Sequence, residues 1–179
     1  WAAGASGSWT EEGNDINTVK GATLDVSVSD ADVYQILYNV ADGGDVATPA
    51  LAMRLNDDTG GNYDMIKQWG SSSGADADNP TGKTKWLLSP DGSEDSYNGC
   101  AYVYKSNPNF VTAAKGGATL ISQTQQTSST TSLYALNVVG TNANLTSAIT
   151  KITLKVMKSS TEDDSQIVGS MRVNSLSYS

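Results

Sequence analysis

The sequence predicts an all-β fold: an antiparallel β-sandwich, jelly-roll-like, of about ten short strands. Three observations predict it. Short runs alternate apolar and polar residues with a period of two, clusters of Gly, Asn, Asp, Ser and Pro separate the runs at fairly regular spacing, and no stretch carries a convincing helical period. Strands this short and this many suit two packed sheets better than one open sheet.

Taken in order, residues 1–21 read as an N-terminal arm, rich in Gly, Ser and Ala, and residues 22–179 as the sandwich domain. The arm carries Trp1 and Trp9, whose indoles need something to pack on. It either folds over its own core or docks on a neighbouring subunit, which makes Trp1 and Trp9 the candidate assembly contacts. Residues 22–28 place Leu24, Val26 and Val28 on one face. Residues 33–40 place Tyr34, Ile36, Tyr38 and Val40 on one face with Val33 and Leu37 on the other, which suggests a central strand.

The chain is organised around the stretch 50–64, ALAMRLNDDTGGNYD. Leu51, Met53 and Leu55 alternate with Ala52, Arg54 and Asn56, then Asn56 to Gly61 supply turn residues. Asn62-Tyr63-Asp64 starts a return, so a hairpin with Asp57 and Asp58 at its tip is expected. Residues 70–82 read as an acidic surface loop, 84–88 as a short strand holding Trp86, and 89–98 as an acidic turn. Residues 99–105 put Cys100, Tyr102 and Tyr104 on one side. Residues 118–124 and 132–138 read as a hairpin with a polar tip. In 149–157, Ile152, Leu154 and Val156 point inward and Lys151, Thr153 and Lys155 outward; after an acidic turn, 168–178 closes the chain.

A chain of 179 residues is one domain by size, large enough for a core without disulfide support. Net charge is −8 and only 17% of residues are charged, with no Lys/Arg cluster, so nucleic acid and anionic membrane surfaces are not expected partners. No apolar run is long enough to span a bilayer. The single cysteine, Cys100, allows no intrachain disulfide and reads as a small buried strand residue. The chain starts at Trp1, which leaves room for a leader or propeptide before it.

The absence of histidine excludes His-based acid–base chemistry, Ser-His-Asp triads and His-ligated zinc. Gly60-Gly61 and Gly116-Gly117 lack the strand-to-helix context of a phosphate loop. Asp57, Asp58, Asp64, Glu94 and Asp95 are the carboxylates a glycosidase would need, but all sit in turns and read as solvated acids, so no enzyme is expected. Calcium is the one cofactor worth weighing: Asn56, Asp57, Asp58 and Asp64, or Asp91, Glu94 and Asp95, offer hard oxygens on turns, without the spacing of an EF-hand. Plain turns are the other reading. The tyrosines and tryptophans, with Trp69 and Trp86 foremost, read as core or inter-subunit packing, or as a platform that stacks on a cell-surface glycan. Asn144-Leu145-Thr146 fits the glycosylation pattern.

The order of these pieces resembles a group of tailed-phage and prophage virion structural proteins of the β jelly-roll kind. In that group a strand ending Asn-x-Asp-x-Gly-x-Asn-Tyr is followed much later by a Gly-Ser-led final strand. Here Asn56, Asp58, Gly60, Asn62 and Tyr63 occupy the first pattern and Gly169 and Ser170 the second. Asp57 stands where a Gly is common, and the chain ends LSYS instead of aromatic-Gly. The resemblance implies a bacteriophage virion protein, a capsid decoration or tail component, and brings no catalytic residues. The expectation is therefore a non-enzymatic virion protein that assembles as a homo-oligomer with other virion proteins on an extracellular particle. The alternatives are a carbohydrate-binding jelly-roll module and a subunit of an extracellular protein filament.

Overall fold

The structure, a computed structural model, describes residues 7–43, 49–71, 74–89, 96–105, 117–127, 133–143, 145, 147–158 and 166–178. Trp1, the acids Asp91, Glu94 and Asp95, and Asn144 and Thr146 lie outside the described residues.

The larger sheet contains β1 (Thr10–Gly21), β12 (Ile167–Leu176), β3 (Val33–Asp42), β8 (Ser96–Lys105), β9 (Ala118–Thr127), β10 (Leu133–Asn142), β5 (Tyr63–Ser71) and β6 (Gly74–Asp78), side by side in that order. The smaller sheet contains β2 (Leu24–Ser27), β11 (Lys151–Lys158), β4 (Pro49–Leu55) and β7 (Trp86–Leu87). Every pairing is antiparallel. The fold is an all-β antiparallel sandwich, as expected.

The two sheets close on one core because their strands alternate. Ile36, Val103, Leu120, Leu136 and Met65 of the larger sheet meet Leu24, Leu51, Met53, Leu55, Leu154 and Val156 of the smaller one, all buried. Each such side chain removed from water stabilises the fold by about 1.5–3 kcal/mol. Residues 118–124 and 132–138 do form a hairpin, β9 with β10, starting at the pair Leu133 and Thr127. Strand β3 is central, between β12 and β8.

The structure corrects three expectations. The stretch 50–64 is not a hairpin: β4 pairs with β11 and β7, while β5 pairs with β10 and β6, so the chain crosses from one sheet to the other. The reversal is made by Asn56 (φ 51°) and Asp57 (φ 56°) in left-handed conformation, with the Asp58 amide donating to the Leu55 carbonyl at 2.9 Å. Second, Ala52 and Arg54 are buried along with the rest of β4, so this strand has no solvent face.

Third, two strands stand where an arm and a loop were expected. Residues 10–21 of the arm form β1, paired with β12 of the same chain, and residues 74–78 of the loop form β6, paired with β5. These are the two edges of the larger sheet. The inward residues of β1 are acids and amides that hold the open edge of β2. Asp15 Oδ2 accepts from the Asp25 amide (2.7 Å), Glu12 Oε2 from the Ser29 amide (2.8 Å), and Asn17 Nδ2 donates to the Thr23 carbonyl (2.8 Å). Unpaired backbone groups at a strand edge are thereby satisfied by side chains.

Gly169 (φ +123°) lies near the start of β12, and a Cβ there would sit 2.2 Å from the Asn39 carbonyl oxygen. Gly140 makes room for Trp86, which lies fully buried between the sheets, edge-on to Tyr63 at 5.0 Å, its indole N–H directed at the Thr141 carbonyl (3.3 Å). A Cβ on Gly140 would lie 2.6 Å from Trp86 Nε1. Gly140→Ala is therefore expected to destabilise the protein by about 1–3 kcal/mol through overpacking. Urea unfolding checks this, and a combined Gly140→Ala, Trp86→Phe variant should lose less than the sum of the two single changes.

Candidate functional site

The turn after β4 and the segment before β11 lie against each other because Leu55 and Ile152 are register partners in the smaller sheet. Asn142 and Tyr63 are partners in the larger sheet at the same end. The two crossings between sheets, β4 to β5 and β10 to β11, thus run side by side. The polar residues of the first fasten it to the second. Asn56 Oδ1 accepts from the amides of Thr150 (2.8 Å) and Lys151 (3.2 Å), and its Nδ2 donates to the Ala148 carbonyl (2.7 Å). Asp58 Oδ1 accepts from the Gly60 amide (2.8 Å), and Oδ2 accepts from Asn62 Nδ2 (3.2 Å) and from Asn142 Nδ2 (3.1 Å). Asn142 is fully buried.

Asp57 turns the other way. Its Oδ2 pairs with Lys151 Nζ at 3.1 Å, and the same ammonium lies 3.5 Å from Asp25. Asp57, with Asp25 behind it, raises the Lys151 pKa against the opposing effect of burial. Asp64 Oδ1 accepts from the Gly82 amide (2.7 Å). The four residues expected as a calcium set therefore point at four different groups of donors. Calcium takes six to eight oxygens converging on one point. Among the described residues no three Asp, Glu, His or Cys side chains converge in that way. The arrangement does the work of a latch between the crossings.

Trp69 and Trp86 do not stand together at the surface. Trp86 is fully buried and presents no face to a sugar. Trp69 packs partly against the core, with the Lys67 ammonium 5.7 Å from its ring centroid. Lys67 is itself buried and lies 3.5 Å from Asp78. It lines a cavity of about 170 Å³ with Lys83 and Lys85 at the β5–β7 side of the sandwich. Trp9, the one candidate assembly contact among the described residues, is 48% exposed just before β1. Cys100 is half-buried, on the outer side of β8, and not in the core.

One set of residues was not singled out from the sequence. Register places Tyr102, Ile121, Val139 and Ile66 in a single row across β8, β9, β10 and β5 on the outer face of the larger sheet. Ile66 is 56%, Val139 50% and Ile121 44% exposed. Leu37 and Tyr104 flank the row and are also exposed. A signal existed: Met65-Ile66, Leu120-Ile121 and Val138-Val139 are apolar pairs inside alternating runs, so each strand shows one apolar residue to the wrong side.

No protein-family model, no curated protein and no solved structure matches the chain.

Acid tests the latch. Burial works against charging Asp58, but the Gly60 amide, Asn62 and Asn142 outweigh it and hold its carboxyl below the ordinary carboxylate value. Glu12 is lowered in the same way: burial opposes, and its bonds from Ser175 and the Ser29 amide prevail. Both carboxyls titrate near pH 4 in an unfolded chain. Their stabilisation is therefore present above about pH 4 and is lost as pH falls through the lower folded values. Asp58→Asn is expected to cost about 1–2 kcal/mol at pH 7, and the gap to wild type should narrow below about pH 4, measured by urea unfolding across pH.

Proposed function

We propose that the chain is a non-enzymatic structural protein of a virion, a capsid decoration or tail component, carried in symmetric copies on the extracellular particle. The observation behind this reading is the outer face of the larger sheet, where a row of aliphatic and aromatic side chains stays exposed on a broad sheet. Contiguous exposed apolar surface of this kind marks interaction sites. Asp58 and Asp64, acids available for chemistry, are instead committed to backbone amides and to the neighbouring crossing. The likeness of the Asn56–Tyr63 pattern and of Gly169-Ser170 to phage virion proteins points the same way.

The sheet edges favour contact through a face over strand addition. Edge strand β6 is five residues long, fully exposed and carries Asp76 and Asp78, and edge strand β1 has register breaks at Glu11/Gly13 and Asn17/Gly21. Short, charged and bulged edges resist pairing with another chain. This weighs against a filament built by completing a neighbour's sheet.

Antibody raised against the purified chain should label the surface of particles banded on a density gradient from cultures of the source organism. Chain recovered only away from particles, with no labelling of heads or tails, overturns the reading. Deleting residues 1–21 should destabilise the domain itself, because it removes β1, whose side chains seal the edge of β2.

A further inference from the structure

The middle of the outer face of the larger sheet carries no charge. The chain carries 19 acids and 11 bases. On the outward positions of β3, β8, β9 and β10 none of them occurs: those strands show Gln35, Leu37 and Asn39; Asn98, Cys100, Tyr102 and Tyr104; Thr119, Ile121, Gln123 and Gln125; and Ala135, Asn137, Val139 and Thr141. Beyond them, Arg172 and Glu11 neutralise each other at 2.6 Å, and Asp64 sits at one corner, held by the Gly82 amide.

From this we infer that the occupant of the outer face is a second copy of this chain, packed face to face about a two-fold axis; the inference rests on the structural-protein reading above. Three arguments select a copy over another partner. First, two chains of net charge −8 repel each other, and a contact through the outward positions of β3, β8, β9 and β10 brings no carboxylates together. Second, a two-fold interface must be self-complementary. Amides both donate and accept, and aliphatic side chains need only one another, so a face of Asn, Gln, Thr, Ile and Val complements itself; a partner chosen by charge would find almost nothing to read. Third, the size is right. The six adjacent strands β12, β3, β8, β9, β10 and β5, at about 4.8 Å spacing and about eight residues at 3.4 Å each, cover about 780 Å², close to the roughly 800 Å² that each partner of a stable complex contributes.

The surface relief fits as well. Shallow grooves lie toward the two ends of the row Tyr102–Ile121–Val139–Ile66, and the second takes in Ile66 and Val139 themselves. One, of about 340 Å³, lies by Asn14, Ile16, Leu37 and Arg172; the other, of about 290 Å³, lies by Ile66, Asn79, Thr81 and Val139. Hollows at both ends of the row offer a copy of the chain places for its own protruding side chains.

Sedimentation equilibrium of the purified chain over about 1–100 μM tests this. The expected mass is twice that of the chain. Ile121→Lys and Val139→Glu, both at exposed positions that leave the core untouched, should each weaken association at least about thirtyfold, because the two-fold brings two like charges into a desolvated contact. Lys155→Glu, on the opposite side of the sandwich, should leave the mass unchanged. A monomer at every concentration overturns the inference and shows that the face meets a different protein or a glycan, or stays bare. A dimer that survives both face variants overturns it too, by placing the contact elsewhere. Neither result touches the virion reading, which stands or falls on the particle labelling.

Discussion

The two places where the chain passes from one sheet to the other at the Leu55 end hold the sandwich in register, and they are held by two side chains. Asn56 binds the backbone that leads into β11, and Asp58 binds the side chain that ends β10. Each crossing by itself is a stretch of backbone with unpaired donors and acceptors, costly to leave unsatisfied near a core. Fastened to each other, the crossings satisfy one another. Tyr63 and Trp86 then stack edge-on just beneath them, and Gly140 yields the space Trp86 needs. Asn56 and Asp58 thus fasten the two sheets to each other at this end.

Unequal sheet widths shape the rest. The smaller sheet covers one face of a sheet twice as wide, so the outermost strands of the wide sheet project beyond it. At one side the problem is solved by Asp15, Glu12 and Asn17, which reach from β1 to the backbone of β2. At the other, β6 is short and carries its aspartates, one of them paired with buried Lys67. The other face of the wide sheet has no covering layer among the described residues. There Ile66, Ile121 and Val139 stand in solvent among amides and hydroxyls, where a charged surface would have cost nothing.

Ten of the twelve strands were legible in the sequence, because alternation is a record of burial and each of those ten buries at least one face; β4, buried on both, still alternates large with small or polar residues. β1 and β6 were not legible for the same reason: β6 is exposed throughout, and the inward positions of β1 hold acids and an asparagine that bond to backbone. The partnering of strands was less legible than their existence. Leu55 to Tyr63 has the residues of a hairpin, and local turn chemistry is the same whether the chain turns back on itself or climbs to another sheet. Only Asn142 and residues 148–151, distant in sequence, decide between the two. The turn 56–64 shows the same limit: Asp57, Asp58 and Asp64 are neighbours in sequence whose oxygens serve different donors in space. The outer row was written in the sequence as apolar doublets, but its continuity across strands depends on register, which no single strand reveals.

A double-mutant cycle on Asp58 and Asn142 tests the latch most directly. Asp58→Ala, Asn142→Ala and the double variant would be unfolded in urea, with and without calcium. A latch predicts a coupling of about 1–2 kcal/mol between the two positions and a wild-type midpoint that calcium does not move. Additive losses would mean that the two crossings are not held together through this bond. A midpoint raised by calcium would mean that Asp58 serves an ion instead.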